Sequence, residues 1–151
     1  MLDAIDRRIV ALLQADGRMT NADLAASVNL STSAAHRRVR QLEEAGVIVG
    51  YRAVIDPKKA GLSVLGYVSI KMESHDPKML AAFVRGLEAI AEVVACSAIS
   101  GGGDYLLKVV AADMDAFADV ALKRLVRLPG VKDSTSNFVL ATVKPEGAWP
   151  V

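Results

Sequence analysis

Apolar residues recur at helical spacing through the first 45 residues and predict three short helices. Thr20, with Asp23 three residues on, has the spacing of a capping box and begins the second helix. Asn29 suits the left-handed backbone of a sharp turn, and Ser31 is the expected N-cap of the third helix. The pattern therefore predicts a three-helix domain over residues 1–46.

The pattern changes after residue 46. A run of β-branched residues over 47–55 predicts a strand, so that residues 47–61 form a strand and a linker. Later apolar and polar positions alternate as in half-buried strands, and two helical patterns interrupt them. The resulting order over residues 62–144 is β-α-β-β-α-β, the split ferredoxin-like motif, and residues 145–151 form a tail. The expected fold class is α+β, with helices on one sheet face and the other face left for a partner.

The third predicted helix carries polar and cationic side chains away from its apolar stripe. Two helices joined by a tight turn, the second exposing cations, are typical of a helix-turn-helix DNA-binding domain. Arg37 is the best candidate for a bidentate contact to guanine, whereas Arg38 and Arg40 suit phosphates. The candidate DNA-binding residues are Thr32, Ser33, His36, Arg37, Arg38 and Arg40. The alternative is a solvated face on which Arg40 pairs with Glu43 or Glu44, but caps, turn and stripe together favour duplex DNA as the partner.

Charge and hydropathy favour more than one copy of the chain. The net charge is +1, and the small basic surplus lies in the N-terminal part, so one copy would bind DNA weakly. The hydrophobic fraction of 52% and the mean hydropathy of +0.32 predict apolar surface between subunits. No run approaches the ~18 apolar residues of a membrane span, and the acidic start is unlike a secretory signal. With a single cysteine, these features predict a cytoplasmic protein without a membrane partner.

No arrangement of side chains in the sequence is typical of catalysis, so we expect a non-enzyme without a cofactor or a metal site. Cys96 lies in an apolar run and is expected to be a small buried residue. His36 and His75 lack metal-ligand spacing. Asp3 and Asp6 are expected to be solvated or to stabilise the N-terminus of a helix.

The ordered motifs of the chain resemble the Lrp/AsnC (leucine-responsive/asparagine-type) family of bacterial and archaeal transcription regulators. The resemblance covers nearly the whole chain and is carried by Leu2-Asp3-x-x-Asp6, Asp16-Gly17-Arg18, Leu24-Ala25, Leu30-Ser31, Arg38-Val39-x-x-Leu42-Glu43, Gly46-Val47-Ile48, Gly50-Tyr51-Arg52-Ala53, Gly61, Gly101-x-x-Asp104-Tyr105-Leu106-Leu107-Lys108, Leu128-Pro129-Gly130-Val131 and Val143-Lys144. Ala35 departs from it, because a larger aliphatic residue is usual there.

The resemblance implies a winged helix-turn-helix domain followed by an amino-acid-sensing ferredoxin-like domain. It also implies dimers that pair through their sheets and assemble into tetramers or octamers, with small effectors bound between dimers. The loop from Ser100 to Asp104 matches the family's effector site, with glycine N–H groups for a carboxylate and Asp104 for an ammonium group. The candidate effector-binding residues are Ser100, Gly101, Gly102, Gly103, Asp104, Met114, Ser134, Thr135 and Ser136. Taken without the resemblance, the triple glycine is better interpreted as a hairpin turn.

The expected function is a sequence-specific DNA-binding transcription regulator modulated by an amino acid or a related small molecule. One alternative is an architectural DNA-binding protein of the same build that ignores ligands. The other is a metabolite-binding module or an enzyme whose helical domain serves association.

Overall fold

In a computed structural model, which describes residues 2–151, the chain divides into two compact units. The first unit contains residues 2–54 together with residues 144–151, and the second contains residues 55–143. The tail, predicted as a separate segment, therefore belongs with the helical N-terminal unit.

The first unit contains the three predicted helices, α1 (Ala4–Ala15), α2 (Asn21–Ser27) and α3 (Thr32–Glu44). Both predicted caps form, because the Thr20 hydroxyl accepts from Asp23 N–H at 3.1 Å and the Ser31 hydroxyl accepts from Ala34 N–H at 3.3 Å. Asn29 has the predicted left-handed backbone, with φ of 55°. Local side-chain chemistry thus fixes where α2 and α3 begin and how the turn between them closes.

The three helices bury a small apolar core. Its buried members are Ile9, Val10, Leu24, Val28, Val39 and Leu42. Ala35 is fully buried on α3, where its small side chain permits close approach of a neighbouring helix. This core fixes which side of α3 points outward.

The strand predicted over residues 47–55 is wrong for this structure. Residues 49–55 are exposed and form no regular secondary structure, and no described residue pairs with them as a neighbouring strand. Their β-branched side chains favour an extended backbone, but a strand also needs a neighbour for its backbone hydrogen bonds. Within residues 2–54, helices are therefore the only regular elements described.

The second unit has the predicted βαββαβ order. Its elements are β1 (Val64–Met72), α4 (Pro77–Glu88), β2 (Val93–Ala98), β3 (Tyr105–Ala111), α5 (Met114–Asp119) and β4 (Val131–Phe138). The four strands form one antiparallel sheet in the order β2-β3-β1-β4. After α5 the chain continues through a π-helical turn over Val120–Arg124 and a 3-10 turn over Leu125–Arg127. The predicted α+β fold is confirmed.

Alternation along β1 and β3 places one set of side chains against the helices. Val68, Ile70 and Leu107 are fully buried there, together with Phe83 of α4 and Phe117 of α5. The side chains of opposite parity, such as Leu65, Tyr67 and Leu106, are only half-buried. This second face of the sheet is the one predicted to be left for a partner.

Candidate DNA-binding helix and effector loop

Helix α3 presents a continuous polar face opposite its buried stripe. Each residue advances about 100° around a helix, so positions three and four apart share a face. The face consists of the exposed residues Thr32, Ser33, His36, Arg37 and Arg40. Five of the six predicted DNA-binding residues are thus brought together on one accessible surface.

The two arginines on this face differ in their surroundings. Arg37 forms no hydrogen bond or ion pair with any residue from 2 to 151. Arg40 Nε lies 3.1 Å from Glu44 Oε1, as the alternative interpretation anticipated, but the two side chains are 70% and 64% exposed. Such an exposed pair is worth little and is screened by salt, so a phosphate can replace the carboxylate.

Arg38 does not lie on the polar face, which corrects its expected role as a phosphate contact. Its Nη1 donates at 2.7 Å to Asp3 Oδ2 and at 2.7 Å to Asp6 Oδ1, and its side chain is only 29% exposed. Asp3 is also the N-cap of α1, because it accepts from Asp6 N–H. Arg38 therefore fixes α3 to the start of α1. Asp3 stabilises the N-terminus of α1, as expected, and both Asp3 and Asp6 also pair with Arg38.

The pKa of Asp3 is lowered, first by the hydrogen bond from Asp6 N–H and then by Arg38. The same ion pairs raise the pKa of Arg38. Both directions favour the charged forms, so the link between α1 and α3 is strongest when Asp3 is ionised.

The loop from Ser100 to Asp104 joins β2 to β3 and is tied to the end of β1. Asp104 N–H donates to the Ile70 carbonyl at 2.8 Å, and the Asp104 carbonyl accepts from Ile99 N–H at 3.0 Å. Gly103 packs directly on Ser69, where a Cβ atom would overlap the Ser69 hydroxyl. Gly101 has a φ of 125°, a conformation that favours glycine. The glycines thus serve the hairpin itself as well as any ligand.

The carboxylate of Asp104 already has partners within the chain. Oδ2 accepts from Met72 N–H at 2.6 Å, and Oδ1 lies 3.2 Å from His75 Nε2. The pKa of Asp104 is lowered, chiefly by the Met72 hydrogen bond; burial opposes this shift, and His75 and Lys71 make smaller contributions that lower the pKa further. The sequence analysis did not predict that His75 is a partner of Asp104. The one signal for it is that His75 lies in the connection between β1 and α4.

The neighbouring glycines leave donors free. The N–H groups of Gly101 and Gly102 make no backbone hydrogen bond with residues 2–151, and both residues are exposed. Consecutive free N–H groups form a site for an anion such as a carboxylate. An ionised Asp104 beside them supplies the opposite charge, so the loop offers complementary groups for a zwitterion.

The other predicted effector residues lie at different distances from this loop. Ser134, Thr135 and Ser136 lie within β4 rather than before it, and Ser134 and Tyr105 both pair with Ile70. With β1 between them, Ser134 and Tyr105 are roughly 10 Å apart. Met114 begins α5 at the opposite end of β3, about 20 Å along the strand, and is 51% exposed. Within one chain, Met114 does not join the loop.

Among residues 2–151, no group of three metal-ligating side chains lies close enough to hold a metal ion. Cys96 is exposed on β2 rather than buried as expected, and partial burial of its thiol raises its pKa. A thiol with a raised pKa is a poor nucleophile. No helix described in residues 2–151 combines the length and apolar character needed to cross a membrane.

Comparison with known proteins matches both units. The family model "winged helix-turn-helix DNA-binding" matches residues 2–49, and the "Lrp/AsnC ligand binding domain" matches residues 65–149. The DNA-binding transcriptional activator DecR of Escherichia coli K12 is 38% identical over 152 residues, covering 100% of this chain and 99% of DecR. The leucine-responsive regulatory protein of the same strain is 38% identical over 143 residues, covering 95% and 87%.

Solved structures agree. The transcriptional regulator NMB0573 of Neisseria meningitidis, in complex with L-Met, superimposes with a TM-score of 0.93 at 34% identity, covering 99% of this chain and 97% of that one. An AsnC family regulator from Agrobacterium tumefaciens gives 0.90 at 37% identity, covering 99% and 97%. A helix-turn-helix domain joined to a ligand-binding domain defines a ligand-modulated transcription regulator. The chain belongs to the Lrp/AsnC family, which consists of transcription regulators rather than enzymes.

Proposed function

We propose that the chain binds specific DNA sequences as a dimer, through the exposed face of α3. The observation that carries this proposal is the grouping of five polar or cationic side chains opposite the buried stripe of α3. Two such helices would occupy successive major grooves about 34 Å apart. The half-exposed sheet face is the proposed dimer contact, and further assembly to a tetramer or octamer would multiply weak contacts. The proposed location is the cytoplasm.

Within this face, Arg37 is proposed to recognise a base and Arg40 to contact phosphate. Arg37 has no competing carboxylate and lies in the second turn of α3, close to the N-terminal part that meets base edges. Thr32, Ser33 and His36 would support the base contacts. Arg40 would exchange Glu44 for a phosphate oxygen. Arg38 would not contact DNA and would affect binding only by holding α3 in place against α1.

A DNA-binding titration on the DNA upstream of the chain's own gene tests these roles. Arg37→Ala should reduce the preference for that DNA over an unrelated duplex, by roughly 1–3 kcal/mol if the contact is bidentate. Arg40→Ala is the matched control and should weaken both duplexes about equally. An equal loss for Arg37→Ala on both duplexes would assign Arg37 to phosphate instead.

We further propose that an amino acid binds at the loop from Ser100 to Asp104, between dimers. Its carboxylate would accept from the free N–H groups of Gly101 and Gly102, and its ammonium group would take the place of His75 at Asp104 Oδ1. Neighbouring copies would supply the hydroxyls of Ser134, Thr135 and Ser136. They would also supply Met114, which is remote from the loop within one chain. Effector binding would shift the assembly only through a difference in affinity between its states.

Calorimetric titration with a panel of amino acids, beginning with L-methionine, tests this site. Asp104→Asn should lose binding, because the neutral amide no longer attracts the ammonium group. His75→Ala should bind at least as well as the wild type, since it frees Oδ1. Full retention of binding by Asp104→Asn would refute the ammonium contact, and DNA binding that ignores the whole panel would favour the architectural alternative.

A further inference from the structure

The carboxamide of Gln14, close to the C-terminal end of α1, holds the main chain of Trp149 in the tail. Gln14 Nε2 donates to the Trp149 carbonyl oxygen at 3.0 Å, and Trp149 N–H donates to Gln14 Oε1 at 2.6 Å. The two residues lie 135 positions apart in the sequence. The contact therefore joins α1 to residues 145–151 within the first unit.

The geometry of this contact is that of two paired residues in an antiparallel sheet. An extended residue presents its N–H and C=O groups to one side, and a glutamine carboxamide offers a matching acceptor and donor. Pro150 follows Trp149 and favours the extended backbone at that position. The side chain of Trp149 takes no part, since the residue is 81% exposed. Trp149 is thus held at Gln14 through its main chain.

The other connection to residues 55–143 is fixed near the same place. The Tyr51 hydroxyl donates to Glu43 Oε1 at 2.9 Å, and a Cβ atom on Gly17 would lie 3.6 Å from Tyr51 Cδ1. Gly17 is only three residues after Gln14. Both chain segments that flank residues 55–143 are therefore fastened beside the C-terminal end of α1.

We propose that residues 145–151, the docked tail, bind α1 through Gln14 and restrain the DNA-binding unit at both of its connections. Two fastened segments restrict reorientation of α3 more than a single linker does. A pair of recognition helices whose orientation is already restrained loses less conformational entropy on binding two half-sites than a freely reorienting pair does. This consequence rests on the proposed binding of DNA by a dimer, whereas the docking itself does not.

Tryptophan fluorescence tests the docking directly, because Trp149 is the only tryptophan. Time-resolved anisotropy of the full-length protein measures local rotation of this residue on the nanosecond timescale. Gln14→Ala should increase the fast, local component. Gln41→Ala is the matched control, since it makes the same change at an exposed position on α3 and should leave the decay unchanged. Identical decays for the wild type and Gln14→Ala would overturn the docking.

DNA binding tests the consequence. The measured quantity is the ratio of Kd for DNA with one half-site to Kd for DNA with two. Gln14→Ala removes both hydrogen bonds to Trp149 and should lower this ratio roughly five- to tenfold, with little change for one half-site. Trp149→Ala keeps both main-chain groups and should match the wild type. If the ratio in Gln14→Ala equals that of the wild type, the proposed restraint on the DNA-binding unit is refuted. If the wild-type ratio is itself near one, the proposed two-site binding is refuted, and the docking of the tail is then judged by the anisotropy measurement alone.

Discussion

Substitution of Gly103 by alanine should destabilise the second unit through a steric conflict with β1. A Cβ atom at Gly103 would overlap the Ser69 hydroxyl and would lie 3.3 Å from the Ile70 carbonyl oxygen. Rotation of Ser69 relieves the first contact, but the second involves backbone that also accepts from Asp104 N–H. Overpacking of this kind costs about 1–3 kcal/mol. For a chain of 151 residues, this corresponds to a fall in Tm of roughly 2–12 °C.

Differential scanning calorimetry with a matched glycine measures this effect. Gly102→Ala is the control, because nothing lies within 4 Å of its Cβ position, and it should be neutral or slightly stabilising. Ser69→Ala combined with Gly103→Ala removes the overlap with the hydroxyl and should recover part of the loss, giving a favourable coupling of at least ~0.5 kcal/mol. The reasoning would be refuted if Gly103→Ala were as stable as Gly102→Ala, or if the double variant showed no coupling.

Three further predictions concern the first unit. Arg38→Ala should lower the Tm of the DNA-binding unit by a few degrees because it leaves two carboxylates without their shared cation, and calorimetry that finds no change would contradict this role. Because the folded pKa of Asp3 lies below its unfolded value, its contribution to stability is present above about pH 4 and is lost as the pH falls further; Asp3→Asn should flatten this part of a stability–pH curve. Burial, followed by Glu43, raises the pKa of Tyr51 to about 12, so stability should fall as the pH rises from about 10 to 12, and Tyr51→Phe should abolish that fall in urea unfolding curves.

The parts of the fold that could be predicted from sequence are those with a local cause. Thr20 and Ser31 are two short hydroxyl side chains placed just before apolar periodic segments, and each caps the helix that follows. Asn29 sits where a sharp turn needs a left-handed residue. In each case the group that satisfies the backbone lies within three or four residues, so spacing alone identifies it.

The contacts that could not be predicted join residues far apart in the chain. Arg38 lies at the border of the apolar stripe of α3, where periodicity does not separate an exposed side chain from a paired one; its partners are 35 and 32 residues away. The contact between Gln14 and Trp149 spans nearly the whole sequence. The strand prediction over residues 47–55 was wrong for a related reason. The propensity for a strand is a local property of the sequence, whereas the neighbouring strand that it needs is supplied by a distant part of the chain.

Because Arg38 does not belong to the proposed DNA-binding face of α3, fewer cations are left on that face for phosphate contacts than the sequence predicted. One copy of α3 offers Arg37 and a weakly paired Arg40, so each recognition helix would neutralise few phosphate charges. We therefore expect non-specific binding by a single copy to be weak. On the proposed roles, discrimination among sequences would depend on short-range groups at the start of α3: the hydroxyls of Thr32 and Ser33, the imidazole of His36, and Arg37. Because these groups act only at contact distance, the proposal makes affinity depend on the number of copies that engage DNA together and on how firmly each recognition helix is held.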